Sequence, residues 1–167
     1  MAKYKQVTET FTVADGLDTS EIEELKDEME IWRSNMDGTA LENTQKYQDV
    51  SQAEDELGKV DEIRFDEIWS ALGDLDGLDE ETLGKIEYQC SQLKVRSKRQ
   101  YPSRATRLSN ACAMIEGALE ALKNHLEGLE LGDLEEPGRI SEATNLIDDI
   151  LNIINDFDGV EFPGMYG

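Results

Sequence analysis

Residues 103–127, SRATRLSNACAMIEGALEALKNHLE, carry apolar side chains at Ala105, Leu108, Cys112, Ile115, Leu119, Leu122 and Leu126. Steps of three and four residues place them on one stripe of a 3.6-residue helix, whereas a strand would scatter them over both of its faces. A helix with a stripe this regular must lay it against another element. The remainder of the chain is therefore read for partners.

The same spacing recurs elsewhere. Ser20 and Glu23 form a capping box that opens a helix over about 20–36, with Ile22, Leu25, Met29, Trp32 and Met36 on its seam. After the Asp37-Gly38 loop, Thr44 caps a second helix with the stripe Tyr47, Val50, Ala53, Leu57 and Val60. Gly58 weakens that helix, which bends or restarts near Asp61 and continues through Ile63, Phe65, Ile68, Trp69 and Leu72. GDLDGLD at 73–79 reads as a turn. A third helix is expected over about 80–100, with Leu83, Ile86, Cys90, Leu93 and Ser97 inward, ended by Tyr101-Pro102.

In a tight antiparallel hairpin the numbers of facing residues add to a constant. Leu93 opposite Leu108, Cys90 opposite Cys112, Ile86 opposite Ile115 and Leu83 opposite Leu119 agree with one register to within one residue. Residues 80–127 are accordingly expected to form a helical hairpin. Beyond it, 129–139 reads as a linker, and Ser141 caps a last helix over about 141–157 with Ala143, Ile147, Ile150, Ile154 and Phe157 inward. At the other end, YKQVTETFTV at 4–13 alternates Val7, Glu9, Phe11 and Val13, the pattern of an extended arm or short edge strand.

The expected fold class is all-α: a bundle of four to five helices around a central antiparallel hairpin at about 80–127. Residues 1–19 would form an extended arm, 20–157 a single domain and 158–167 an irregular tail. A chain of 167 residues can sustain such a core, since folding at that size buries about 70% of the unfolded surface. No apolar run is long enough for a signal peptide core or a membrane span, so a soluble, cytoplasmic protein is expected.

Charge narrows the function classes. Acidic residues number 38 against 16 basic ones, a net charge of -22. Repulsion then opposes approach to nucleic acid and to anionic membranes and favours a basic partner, although solubility or a salt-rich host would also account for the acidity. Catalytic motifs are missing. His125 stands alone, at an exposed or capping position near the end of its helix, and Cys90 and Cys112 read as reduced core thiols. DLDG at 74–77 and DFDG at 156–159 fail as calcium loops, because the first ligand position falls on Leu72 or Ile154. A magnesium site from Glu21, Glu24 and Asp27 is the residual enzyme idea, and those side chains point outward from a helix. No cofactor, metal or catalytic residue is assigned.

Against this acidity, KVRSKRQYPSRATR at 94–107 holds six cations and no carboxylate. Lys94, Arg96, Lys98 and Arg99 would suit the C-terminus of the expected third helix, but Arg104 and Arg107 fall in the first turn of the next, where the helix dipole opposes them. Either the stretch pairs internally with acidic helix faces, or it contacts a phosphate or an acidic partner, with Tyr101 for stacking. The acidic face facing outward comprises Glu23, Glu24, Asp27 and Glu30.

Residues 21–57, with Trp32, Asn35, Met36, Lys46 and Tyr47 around Asp37-Gly38, resemble a helix-loop-helix of small uncharacterised acidic proteins encoded by tailed bacteriophages. The resemblance implies a phage origin and carries no activity. A protein of that kind is expected to act as a non-enzymatic, DNA-mimic-like inhibitor or modulator of a basic, nucleic-acid-binding host protein. The alternative is an assembly protein, a homo-oligomer joined through helical seams with Ile31 and the tail FPGMY as contacts.

Overall fold

The computed structural model describes residues 3–72, 80–128 and 137–163. The chain opens with strand β1 (Tyr4–Thr12) and a single turn, α1 (Val13–Gly16), followed by α2 (Ser20–Met36) and α3 (Gln45–Leu57). A 3-10 turn at Gly58–Glu62 leads into α4 (Phe65–Leu72), and a short α5 (Glu80–Leu83) precedes strand β2 (Glu87–Val95). Two long helices complete it, α6 (Arg104–Glu127) and α7 (Pro137–Asp156).

The architecture is mostly helical, but it is not purely all-α. Residues 87–95 are a strand, not the middle of a helix, and they pair antiparallel with β1 along its whole length, from Tyr4 opposite Val95 to Thr12 opposite Glu87. This overturns the helical hairpin expected at 80–127. Two periodicities coexist in that segment. Leu83, Ile86, Cys90 and Leu93 follow helical spacing, while Ile86, Tyr88, Cys90 and Gln92 follow a period of two. The second prevails, because Cys90 and Gln92 are buried while Leu93 remains 38% exposed. A glutamine at an inward position hid the alternation. The β1–β2 ribbon also draws residues 4–12 onto the body of the protein.

The helix ends follow local chemistry, with two departures. Thr44 caps α3 by accepting from the Tyr47 amide, and Ser103 caps α6 by accepting from the Thr106 amide. Ser20, however, lies inside α2: Thr19 is its N-cap position, and Asp18 Oδ1 accepts from the Ser20 amide at 2.9 Å instead. Ser141 likewise caps nothing, since α7 already runs from Pro137, a residue whose fixed φ and missing N–H suit a first helical turn. Gly58 ends α3 at the expected weak point, but Asp61 lies in the 3-10 turn and the helix restarts at Phe65. The turn expected at 73–79, most of the 129–139 linker and the end of the tail lie outside the described residues.

Helix α6 is the centre of the fold, packing against β2, α1, α2 and α7, while α3 pairs with α2 and α4 with α7. Leu108, Cys112, Ile115, Leu119, Leu122 and Leu126 are buried, and Ala111 and Ala118 widen the stripe enough to serve several neighbours. Each large side chain removed from water in this way contributes about 1.5 to 3 kcal/mol. The seams of α2 and α7 are buried in the same core. Both thiols are free and buried. His125 is half-buried, not exposed, and its Nε2 has no hydrogen-bond partner.

β2 crosses α6 on a polar clasp and an aromatic key. Asn110 accepts from the Leu93 amide and donates to the Leu93 carbonyl, both at 2.9 Å, so its amide replaces one rung of a neighbouring strand. Buried Gln92 donates to the Asn110 carbonyl at 3.1 Å. The Tyr88 hydroxyl donates to the Met114 carbonyl at 2.8 Å, and its ring lies where a Cβ on Gly117 would stand, 2.6 Å from Cε2. A Cβ on Gly16 would meet the Tyr88 hydroxyl oxygen at 2.0 Å. Burial pushes the Tyr88 phenol up to about 12, with the Cys90 and Asp15 charges adding to it.

Gly117→Ala should therefore destabilise the protein by about 1 to 3 kcal/mol through overpacking, although alanine is the better helix former by about 1 kcal/mol. With Tyr88→Ala in the background the sign should reverse. Urea midpoints of the two single variants and the double variant measure both effects.

Candidate functional site

Helix α2 sorts its carboxylates onto two faces. With Ile22, Leu25, Met29 and Met36 buried, Glu21, Glu24 and Glu28 fall on the flank nearest α6, and Glu23, Asp27 and Glu30 fall on the side opposite the core. The flank meets the start of α6. Arg107 reaches Glu21 Oε1 with Nε at 2.6 Å, Glu28 Oε2 with Nη2 at 2.7 Å and Glu24 Oε1 at 3.8 Å. Arg104 Nε donates to Glu28 Oε1 at 2.9 Å, and its guanidinium lies 5.3 Å from the Trp32 ring centre.

This arrangement resolves the conflict with the helix dipole. Two arginines in the first turn of α6 each cost about 0.3 to 1 kcal/mol there, but they bring α2 carboxylates to the same end, where negative charge is favoured. Partial burial pushes the Glu28 carboxyl up. Hydrogen bonds from Arg107 and Arg104, with their charges, outweigh that effect and hold it below the ordinary carboxylate range. The Glu28 hydrogen bond, opposed by burial and joined by Glu21, raises Arg107 further above its ordinary range.

The other expected site residues separate. Lys94 Nζ lies 3.6 Å from Glu9 on the neighbouring strand, and Arg96 Nε donates to the Tyr4 carbonyl at 3.1 Å, so both brace the ribbon and do not end a helix. Lys98 and Arg99 sit in an exposed turn after β2 without an ion pair among the described residues, next to Tyr101, which is 84% exposed. Glu23, Asp27 and Glu30 are exposed. Glu24 belongs partly to the Arg107 cluster. The magnesium triad does not converge, because Glu21 and Glu24 turn to Arg107 while Asp27 turns away.

A second pairing centre was missed in the sequence. Arg33 bonds Glu54 of α3 through Nε and Asp37 through Nη1, and the Tyr47 hydroxyl donates to Asp37 at 2.6 Å. Its signal was a lone arginine on an acidic helix four residues before an aspartate. The partners Glu21 and Glu28 also had a signal, since carboxylates at steps of three and four match arginines three apart. Among the described residues no cluster of three or more His, Cys, Asp or Glu is arranged to hold a metal ion, and no helix is long and apolar enough to cross a membrane.

Replacing Arg104 and Arg107 together by glutamine should lower stability by about 0.5 to 2 kcal/mol, and the loss should shrink in high salt as the remaining carboxylates are screened. Urea midpoints at two salt concentrations test this. A spectroscopic titration tests the ribbon. Tyr4 Oη accepts from the Ser103 amide at 2.9 Å, and donation from Ser103 and Thr106 lowers its phenol to about 8 from the usual 10. One tyrosine should ionise near pH 8, and Tyr4→Phe should remove that step. The shift adds stability that is complete above pH 10 and is lost as pH falls through about 8.

Comparison with known proteins found no family model, no curated protein and no solved structure that matches this chain.

Proposed function

We propose that the protein is a non-enzymatic acidic binding protein that offers the outer face of α2 to a basic partner in the manner of a nucleic-acid strand. The observation that carries this reading is the sorting of charge on α2. Glu21 and Glu28 are neutralised by arginines of α6, while Glu23, Asp27 and Glu30, with Glu24 at their margin, remain exposed. Residues 23 to 30 rise about 10.5 Å along the helix axis. Four carboxylates over that length match the density of a duplex strand, which carries one phosphate per about 3.4 Å. An exposed array also keeps its long-range field, which steers a cationic groove toward it.

The partner class that follows is a host protein with a groove built for phosphates, and a phage-encoded inhibitor or modulator working in the host cytoplasm fits this chemistry. The test uses the full chain as bait in a bacterial lysate, with bound proteins identified by mass spectrometry. The expected result is a basic protein that is lost in high salt and displaced by duplex DNA. It should also be lost with the combined variant Glu23→Gln, Glu24→Gln, Asp27→Asn and Glu30→Gln. Capture that resists both salt and DNA, or survives the four substitutions, would overturn the reading.

A further inference from the structure

The β1–β2 ribbon is an exception to the electrostatics of this chain. Across Tyr4–Thr12 and Glu87–Val95 the charged residues are Lys5, Glu9, Glu87 and Lys94, which cancel, in a protein of net charge -22. Its outer face pairs Gln6 with Leu93, Thr8 with Ser91 and Thr10 with Gln89. On this surface a like-charged neighbour would meet little local repulsion.

The outer edge of β1 is also open from Gln6 to Thr10, while the Tyr4 carbonyl is taken by Arg96 Nε. Bonds from the Arg96 amide to the Lys3 carbonyl and from the Val13 amide to the Ile86 carbonyl bracket the ladder, so odd residues of β1 bond to β2 and even residues direct N–H and C=O away from it. The backbone groups of Gln6, Thr8 and Thr10 have no protein partner among the described residues. On β2 the equivalent outward groups of Leu93 are closed by Asn110. Neither a proline nor a bulge protects β1, and unprotected edges recruit further strands.

One charge in the ribbon is mismatched. Lys5 stands directly opposite Lys94, a like-charge pair that disfavours the sheet, and Lys94 takes Glu9 as its counterion, leaving Lys5 without an ion pair among the described residues. A second β1 laid antiparallel about a two-fold axis through Val7 corrects this. In that register Lys5 faces Glu9 of the second copy, and Glu9 faces its Lys5. Val7 faces Val7, while Gln6 and Thr8 exchange backbone hydrogen bonds. The odd positions are non-hydrogen-bonded pairs, in which side chains approach most closely. Each Glu9 then lies between Lys94 of its own chain and Lys5 of the other.

We propose that the chain forms a two-fold dimer through β1, giving a four-stranded antiparallel sheet in the order β2-β1-β1-β2, with Lys5–Glu9 pairs across the new interface. The contact is isologous, so it closes at two copies. It joins two acidic bodies at their neutral edge. The inference stands independently of the proposed function.

Sedimentation equilibrium of the full chain, in enough salt to screen repulsion between whole protomers, reads the dimer constant. Thr8→Pro removes an outward N–H and no ladder bond, so the variant should fold as a ribbon and sediment as a monomer. Lys5→Glu should weaken the dimer about tenfold or more by opposing two carboxylates in each of the two pairs. In the same variant the monomer should be more stable to urea, since the introduced carboxylate now faces Lys94. Adding Glu9→Lys to Lys5→Glu should restore the dimer to within about threefold, because the cross-interface pair is regained with its signs exchanged. Three outcomes would overturn the proposal: a monomer at every attainable concentration, a dimer indifferent to Thr8→Pro, or a dimer unchanged by Lys5→Glu.

Discussion

The fit of the Tyr88 ring against Gly117 and Gly16 is the contact on which the rest of the structure depends. It sets how closely β2 approaches α6, and a side chain at either glycine would lift the strand away. With Tyr88 in place, its hydroxyl reaches the Met114 carbonyl, and Gln92 and Asn110 can form the clasp further along the strand. β1 then needs only the exposed side of β2. The Val13 amide, bonded to the Ile86 carbonyl, hands the chain from the ribbon into α1 beside α6. One aromatic side chain thus couples the sheet, the first turn and the central helix.

Charge is organised with comparable economy. A chain this acidic repels itself in the compact state, and several of its cations sit where acidic helices meet. Arg107 and Arg104 join α2 to α6, and Arg33 joins α2 to α3. Lys123 joins α6 to α7 through Asp148, and Lys59 reaches Asp156 at the end of α7. These pairs lie at helix junctions, where they tie neighbouring acidic elements together. On α2 the carboxylates without an ion pair among the described residues, Glu23, Asp27 and Glu30, face solvent, and the outer face of the helix owes its negative character to this division.

Much of the helical layout was legible in the residues. The stripes of α2, α3 and α6 have few competing readings, because their apolar residues recur over three turns or more and each segment is bounded by a loop or a break. The boundaries of α2 and the cap of α3 follow directly. The segment 80–100 was not legible, since Cys90 and Leu93 satisfy a helical period as readily as Tyr88, Cys90 and Gln92 satisfy an extended one. Even so, the antiparallel sense of the expected hairpin survives in changed form: Tyr88 meets Met114 and Gln92 meets Asn110, so the strand descends along α6 as the helix was expected to do. The start of α7 was obscured by a Glu-Glu-Pro-Gly sequence that resembles a linker.

What the sequence determined by itself is what short-range physics can decide: helical stripes, the Thr44 cap, breaks at glycine and proline, and a strongly negative net charge. The identity of β2 was decided by tertiary structure, because a strand is stabilised by a neighbour and β1 lies some eighty residues away in sequence. Tertiary structure also chose the counterions of Arg104 and Arg107, since many carboxylates share the same spacing and only packing brings Glu21 and Glu28 within reach. The open edge of β1 and the mismatch of Lys5 with Lys94 belong to the same class. Both are properties of a register, and a register exists only once the strands have met.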